Sequence, residues 1–246
     1  MTGPLRVAEL WRHPVKSLGG ELVDRIVLGE HGPDGDRQWA LFDVDTGFGL
    51  TARRVPELLQ ATARCTPDGE VEVVLPDGTA TADDAALSAW LGRPVALRHA
   101  SATAGRPRYE SPDDDEAAAE GPVPGWYPWR GAAGAFHDDP DVRVSLVSRT
   151  TLGGWDRRRF RANVVLDGAG EDALVGRRLR IGEAELRVTG RIPRCVMVTR
   201  PQAGGIERDT DVLRTIHRER DGALAVGALV TLTGTVCAGD AVTVLD

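Results

Sequence analysis

One cysteine of the sequence stands in a setting that could do chemistry. Cys195 follows a predicted strand and a break at Pro193, and it lies between Arg191, Arg194 and Arg200. Nearby cations favour the thiolate, which is the form of cysteine that attacks electrophiles and binds metals. A lone sulfur ligand on a basic, proline-kinked loop suits a metal that brings most of its own ligands. The alternative is that Cys195 is a small buried apolar residue, as most free cysteines are.

The pair Lys16–Ser17 is a second candidate, and it directly follows the first predicted strand. Gly19 and Gly20 come next. An ammonium, a hydroxyl and backbone N–H groups could therefore hold a phosphate together. The Gly-rich lead-in of a P-loop is missing, and the alternative is a solvated turn.

Two further pairs of polar side chains stand at the ends of predicted strands. Arg37 follows a turn and Arg53 follows the next predicted hairpin, so their guanidiniums could converge on one anion. Alternatively, Arg53 forms a surface pair of little energetic worth with Asp36. Arg161 and Asn163 enter a strand at alternate positions, where side chains share a face. That pair suits an anion beside the edge of a heteroaromatic ring, and the alternative is a charged outer face.

Composition and missing motifs exclude several classes of protein. A formal net charge of −7 argues against nucleic acid as the main partner, although nearly all the basic residues are arginine, which suits local anion contacts. The three cysteines are odd in number and too widely spaced for a disulfide framework or a structural zinc site. No Gly-x-Gly-x-x-Gly opens a βαβ unit, which excludes a nicotinamide fold. The lack of an apolar signal core and of a window of transmembrane length predicts a cytoplasmic protein with no membrane partner.

Short alternating segments at even spacing predict a mainly β fold with a few short helices, in which a barrel or sandwich carries the candidate residues. One predicted hairpin joins residues 38–43 to residues 48–51. The predicted helices cover residues 85–91, 150–157 and 210–220. Ser148 and Asp209 are the expected N-caps of the second and third helices.

Changes in composition divide the chain into three parts. We predict an N-terminal domain over 1–100, an irregular acidic and Gly/Pro-rich insert over 101–140, and a C-terminal domain over 141–246. The insert contains Trp126, Tyr127 and Trp129. These aromatic residues either anchor the insert onto the body of the protein or rim a pocket.

Taken in order, the candidate clusters resemble the MOSC family. This family includes the C-terminal domains of molybdenum cofactor sulfurases, the mitochondrial amidoxime reducing component, and bacterial proteins that detoxify N-hydroxylated bases. The matching stretches are 13–17, 35–39 and 50–58 in the N-terminal part, and 159–165, 194–195 and 236–242 in the C-terminal part. The resemblance implies an N-terminal β-barrel-like domain packed on a C-terminal MOSC β-barrel.

The resemblance also implies a role for each matching residue in binding the molybdenum cofactor, Mo-molybdopterin. The residues implied to hold its phosphate are Lys16, Ser17, Arg37 and Arg53. Those implied to hold the pterin body or add hydrogen bonds to it are Ser148, Thr151, Arg161 and Asn163. Cys195 would bind molybdenum beside the two dithiolene sulfurs and would be the catalytic residue, with Arg194 next to it among the cofactor-binding residues.

We consider three hypotheses for the function of this chain. The first is an oxidoreductase that reduces small N-hydroxylated or N-oxide substrates with electrons from a separate flavin, haem or iron–sulfur protein. The second is a carrier that uses Cys195 to hold sulfur or the cofactor without turning over a substrate. The third is a non-catalytic barrel that binds an anionic metabolite through the same arginines.

Overall fold

The chain has a mainly β fold with three short α-helices in the part that the structure covers, which confirms the predicted fold class. The structure is a computed structural model that describes residues 5–102, 108–110, 126–128 and 134–245. The helices are α1 (Asp84–Leu91), α2 (Arg149–Leu152) and α3 (Asp211–Arg220). None of the helices described is long and apolar enough to cross a membrane.

The strands run through both halves of the chain. In the N-terminal half they are β1 (Arg6–Arg12), β2 (Glu21–Val23), β3 (Arg25–Gly29), β4 (Gly32–Pro33), β5 (Trp39–Asp43), β6 (Thr62–Cys65), β7 (Val71–Val74), β8 (Ala80–Thr81) and β9 (Val95–His99). Next come β10 (Arg108–Glu110) and β11 (Trp126–Pro128). The C-terminal half contributes β12 (Val144–Ser148), β13 (Val164–Asp167), β14 (Arg178–Ile181), β15 (Ala184–Pro193), β16 (Ala223–Leu232), β17 (Gly234–Cys237) and β18 (Val242–Val244).

An eight-stranded sheet forms the largest unit, with the strand order β18-β14-β15-β16-β12-β13-β1-β2. The sheet curls until β1 meets the segment that leads into β18. There the N–H of Val7 donates to the carbonyl of Asp240 at 2.9 Å, and the N–H of Gly239 donates to the carbonyl of Val7 at 2.8 Å. Alternating apolar side chains, such as Leu186 and Val188 of β15, fill the inside of this curled sheet.

The N-terminal half surrounds a second apolar core. Its sheets are β5-β9 and β6-β7-β8, and α1 packs beside β9. Asp83 caps α1 by accepting the N–H of Ala86, and Gly92 ends it in the left-handed conformation. Met197, from the segment after Cys195, packs against this core. The loop that carries Cys195 therefore lies against the N-terminal half of the chain.

Strand pairing crosses the predicted boundaries between domains. β1 pairs with β13, and β3 pairs with β17, so strands from the first 30 residues complete sheets of the C-terminal half. β10 and β11, within the predicted insert, pair with each other. Trp126 and Tyr127 belong to β11, whereas Trp129 lies outside the described residues. The division into 1–100, 101–140 and 141–246 stays a prediction.

Two predicted elements differ in extent from the structure. Residues 48–51 pair with β5 as predicted, since the N–H of Leu50 donates to the carbonyl of Leu41 at 2.8 Å and the N–H of Asp43 donates to the carbonyl of Phe48 at 2.9 Å. The pairing is short, with one bridge from Gly49 to Phe42, and β9 pairs with β5 along its length. The expected helix 150–157 is α2, and it ends at Gly153. A separate 3-10 helix then begins after Asp156, which caps it by accepting the N–H of Arg158. The pair Gly153–Gly154 makes continuing α2 costly, because glycine loses the most backbone freedom in a helix.

The third helix begins at Asp211, one residue after its predicted start, and the side-chain bond at its start comes from Asp209 as expected. Its N-cap residue is Thr210, which makes no side-chain capping bond. The carboxylate of Asp209 accepts the N–H of Asp211 at 2.9 Å instead. This short bond organises the turn that enters α3.

Candidate anion and metal site

Lys16 lies in the loop after β1, in a buried position. Its backbone N–H donates to the carbonyl of Trp39 at 2.8 Å, which fixes the loop against β5. The side chain is 6% exposed, and its ammonium forms an ion pair with Asp138. Nζ also lies 3.4 Å from the carbonyl oxygen of Phe136 and 5.2 Å from the centroid of the Tyr109 ring. Lys16 is therefore buried and paired rather than part of a solvated turn, and its contact with a phosphate stays a prediction.

Ser17 adopts a positive φ of 70° and joins Lys16 to the next candidate loop. Its Oγ accepts the N–H of Ala52 at 3.1 Å. Arg53 follows Ala52, but its side chain is exposed, and its carbonyl accepts Nη2 of Arg200 at 3.1 Å. The structure therefore brings the backbone of this loop to Ser17, and the phosphate contact of Arg53 stays a prediction.

Arg37 contacts two other residues of the cluster. Its Nη1 donates to the carboxylate of Asp36, and its Nη2 donates to the carbonyl of Arg161 at 3.1 Å. Asp36 is fully buried and also accepts the N–H of His13 at 2.6 Å. The alternative of a surface pair between Asp36 and Arg53 is therefore wrong, because Asp36 pairs with the arginine next to it.

Arg161 brings an unsatisfied guanidinium into the same place. Its Nη1 is buried and has no hydrogen-bond partner among the described residues. Burial lowers the pKa of Arg161 to about 9, and the charge of Arg37 acts in the same direction. A buried donor without an acceptor is costly, so this position calls for an anionic or polar ligand.

The backbone at three of the predicted residues is strained. Ser17, Arg37 and Arg161 are three of the five non-glycine residues with positive φ in the part of the chain that is described. For side chains other than glycine, asparagine or aspartate this conformation is uncommon and costs about 1 kcal/mol or more. Strain of this kind persists where the surroundings dictate it, and here it sits at residues that face one cluster of charge.

Arg194 and Cys195 complete the cluster from the end of β15. Arg194 donates Nε to the carbonyl of Leu224 at 2.7 Å and Nη1 to the carbonyl of Phe160 at 3.0 Å. Its Nη2 is buried and has no partner in the described part of the chain. Burial lowers the pKa of Arg194 to about 10. Cys195 precedes a 3-10 helix over Val196–Thr199 and is half-buried as a free cysteine, so its thiol is not a fully buried core group.

Three of the predicted cofactor-binding residues make mainly structural hydrogen bonds, namely Asn163, Ser148 and Thr151. Oδ1 of Asn163 accepts the N–H and O–H of Ser145 at 3.1 and 3.0 Å, and Nδ2 donates to the carbonyl of Trp11 at 3.3 Å. Ser148 is fully buried and accepts the N–H of Thr151 at 3.1 Å as the cap of α2. The roles of these three residues toward a cofactor stay predictions.

His13 is a member of the cluster that the sequence reasoning missed. It is 2% exposed, and burial holds its pKa well below its ordinary value, with Arg161 and Arg37 adding repulsion. The imidazole is therefore neutral near pH 7. Gly20 packs directly on this ring, because a Cβ there would lie 2.3 Å from Nδ1 of His13. The signal in the sequence was the pair Gly19–Gly20 after Lys16, which allows this close approach.

The balance of charge defines what this cluster can bind. Its cations are Lys16, Arg37, Arg161 and Arg194, and its carboxylates are Asp36 and Asp138. The cations outnumber the carboxylates, so a buried anion would offset a cost that the protein alone does not. No group of three or more His, Cys, Asp or Glu side chains that could hold a metal occurs in the described ranges.

The residues therefore fit a metal-bearing anion rather than a bare metal ion. The orphan donors on Arg161 and Arg194 need acceptors, which a phosphate or a pterin supplies. Cys195 offers one soft thiolate ligand, so the other ligands of a metal would come from the group itself. Molybdopterin has this combination of features.

Two family models together match most of the chain. The family described as the MOSC N-terminal beta barrel domain matches residues 4–118, and the MOSC domain matches residues 134–243. Among solved structures, the YuaD protein from Bacillus subtilis is similar with 13% identity and a TM-score of 0.44, over 98% of this chain and 96% of that chain.

Two YiiM structures are also similar. YiiM from Escherichia coli has 12% identity and a TM-score of 0.41, over 100% of this chain and 70% of that chain. YiiM from Geobacillus stearothermophilus has 15% identity and a TM-score of 0.36, over 43% of this chain and 55% of that chain. No curated protein matches the sequence.

Proposed function

Because this chain belongs to the MOSC family, whose members are generally associated with the molybdenum cofactor, we propose that its charged cluster binds that cofactor. The single observation that carries the proposal is the pair of buried donors on Arg161 and Arg194, which have no partner among the described residues. Arg194 directly precedes Cys195, whose thiol is half-buried. An anionic cofactor would supply the acceptors, and the thiol would supply a ligand to its metal.

The chain's own residues divide into three binding tasks. Lys16 and Arg37 hold the phosphate, with the backbone of the Ser17 loop beside them. Arg161, whose Nη1 has no partner among the described residues, would hold the pterin body. Cys195, which follows Arg194 in the chain, would bind molybdenum through its sulfur.

The reaction that we propose is the reduction of an N-hydroxylated or N-oxide substrate. The bound cofactor supplies the two-electron chemistry, and the protein supplies binding, orientation and charge. In the balanced reaction the substrate's N–O bond breaks, two protons and two electrons are taken up, and the oxygen leaves as water. A separate flavin, haem or iron–sulfur protein is the proposed source of the electrons.

Turnover with an artificial electron source tests this reaction without the unknown donor. Protein from a host that makes the cofactor is mixed with reduced viologen and a benzamidoxime-type substrate, and the amidine product is measured. We expect product from the parent and from Cys237→Ala, whose altered cysteine is exposed and outside the cluster. We expect none from Cys195→Ala. Equal product from all three proteins would remove Cys195 from the mechanism.

The second candidate function is a carrier of sulfur or cofactor. It is favoured by the half-buried position of Cys195, which leaves the thiol open to a partner. A carrier would release its cofactor readily, or would bear sulfane sulfur on Cys195, and it would make no product in the viologen assay. Mass spectrometry of the intact chain, with and without a thiol reductant, distinguishes a persulfide on Cys195 from a free thiol.

A further inference from the structure

The carboxylate of Asp138 covers the ammonium of Lys16. The Lys16 side chain is 6% exposed and the Asp138 side chain is 85% exposed, so the buried end of this ion pair is the lysine. The carbonyl oxygen of Phe136 and the ring of Tyr109 also lie close to the ammonium. An anion that comes from solvent toward Lys16 therefore meets the carboxylate of Asp138 first.

The backbone around Asp138 is anchored without help from its carboxylate. The N–H of Phe136 donates to the carbonyl of Arg37 at 2.7 Å, and the Phe136 ring packs against Phe42 with their centroids 5.8 Å apart. Nε2 of His137 lies 3.1 Å from the carbonyl oxygen of His31. Rotation of the exposed Asp138 side chain away from Lys16 would leave these contacts in place.

We propose that Asp138 is a specificity-determining residue that selects a terminal phosphate monoester over a singly charged phosphate diester. The inference rests on the proposed function and concerns its phosphate end. When a monoanion displaces the carboxylate of Asp138 from Lys16, one negative charge replaces another. The binding free energy that the monoanion gains is therefore small. A monoester is close to a dianion near pH 7, because its second pKa is about 6. Its extra charge is attracted by the surplus cations of the cluster.

The sequence offers a direct probe of this exchange, because Lys16 is its only lysine. Selective 13C labelling of lysine gives a single side-chain 13Cε signal, which reports on whatever anion contacts the ammonium. Cofactor-free protein is titrated with inorganic phosphate and, separately, with dimethyl phosphate, at about pH 7.5, where phosphate is mainly the dianion. The variants are Asp138→Asn and, as a control of equal charge, Asp139→Asn.

We expect the parent to bind phosphate at least about tenfold more tightly than dimethyl phosphate, a difference of about 1.4 kcal/mol. Asp138→Asn should bind dimethyl phosphate more tightly than the parent does, so the preference for phosphate shrinks severalfold. Asp139→Asn should keep the parent's preference, because Asp139 is exposed and its carboxylate accepts the N–H of Asp141 rather than pairing with Lys16.

Three results would overturn the inference: no response of the Lys16 signal to either anion, an unchanged preference in Asp138→Asn, or the same loss of preference in Asp139→Asn. Failure of the proposed function is distinguished by the molybdenum content. If the protein holds molybdenum while Asp138→Asn keeps its preference for phosphate, the proposed function stands and this inference is refuted. If the protein never holds molybdenum but shows the expected preferences, this inference stands and the proposed function is refuted.

Discussion

Arg37 and Arg194, from opposite halves of the chain, donate to the carbonyl oxygens of two consecutive residues. Arg37 Nη2 reaches the carbonyl of Arg161 at 3.1 Å, and Arg194 Nη1 reaches the carbonyl of Phe160 at 3.0 Å. The short peptide segment between these bonds carries the strained backbone of Arg161. The two arginines therefore hold the backbone at Arg161 in place, while Nη1 of the Arg161 side chain has no hydrogen-bond partner in the described ranges.

Replacing Arg194 with Met should destabilise the cofactor-free protein. The substitution removes the donors to the carbonyls of Leu224 and Phe160, two residues with buried side chains. Hydrogen bonds to charged groups contribute about 1.5–3 kcal/mol each, so we expect the free energy of unfolding to fall by about 3 kcal/mol. Urea denaturation measures this change.

Arg214→Met is the control, because Arg214 is 74% exposed in its pair with Asp211. This variant should change the free energy of unfolding by less than about 0.5 kcal/mol. Equal losses in the two variants would contradict the account.

Replacing Arg161 with Gly should have the opposite effect on stability. Glycine adopts the φ of 51° without strain, and the substitution removes a buried guanidinium nitrogen that has no partner in the part of the chain that the structure describes. We therefore expect the cofactor-free protein to become more stable by about 1 kcal/mol, since strain of this kind costs 1–3 kcal/mol. The same variant should lose the cofactor when it is expressed in a competent host. Urea denaturation and measurement of bound pterin by fluorescence give the two values, and a variant that is less stable but keeps its pterin would refute this division of roles.

Stability should fall as the pH decreases from about 6.5 to 4. Burial lowers the pKa of His137 from 6.5 to about 4, with Arg37 adding repulsion. In this window the unfolded chain binds a proton at His137 that the folded chain does not, so the folded state loses stability as the pH falls through it. The contribution of His137 is about 3 kcal/mol over the whole window.

The variant His137→Gln isolates that contribution because glutamine does not titrate. The free energy of unfolding of the parent and the variant is measured in urea at several pH values between 4 and 7. The slope of the free energy of unfolding against pH should be smaller in the variant than in the parent. At the steepest point the difference should correspond to up to one bound proton. Parallel curves for the two proteins would show that His137 is not the group responsible. His13, whose pKa is also lowered, should account for part of the remaining slope.

The local parts of the fold follow from the sequence, and the non-local pairings do not. The helix α1 begins one residue before the predicted range 85–91 and ends with it, because Asp83 and Gly92, which stop it at either end, act within one turn of the helix. The predicted hairpin between β5 and residues 48–51 is present, but β5 also pairs with β9, which lies far along the chain and was not predicted as its partner. Local alternation identifies a strand but does not name its partner.

The candidate site shows the same limit. The motifs around Lys16, Arg37, Arg161 and Arg194 marked cations, and the structure brings these four together. Their counter-ions were not found, because a carboxylate's partner depends on tertiary contact. The sequence offers Asp36 only as a partner of Arg53 and gives no partner for Asp138, yet these carboxylates pair with Arg37 and Lys16. Burial, which the sequence did not reveal, is what makes these pairs significant.

The central claim is that Cys195 binds the molybdenum of a cofactor held by the surrounding cations, and metal content tests it most directly. Parent, Cys195→Ala and Cys237→Ala are purified from a host that makes the cofactor, and molybdenum per chain is measured by elemental analysis. The account predicts close to one molybdenum per chain in the parent and in Cys237→Ala, and a marked loss in Cys195→Ala. No molybdenum in any of the three proteins, or equal molybdenum in all of them, would contradict the assignment of Cys195 as its ligand.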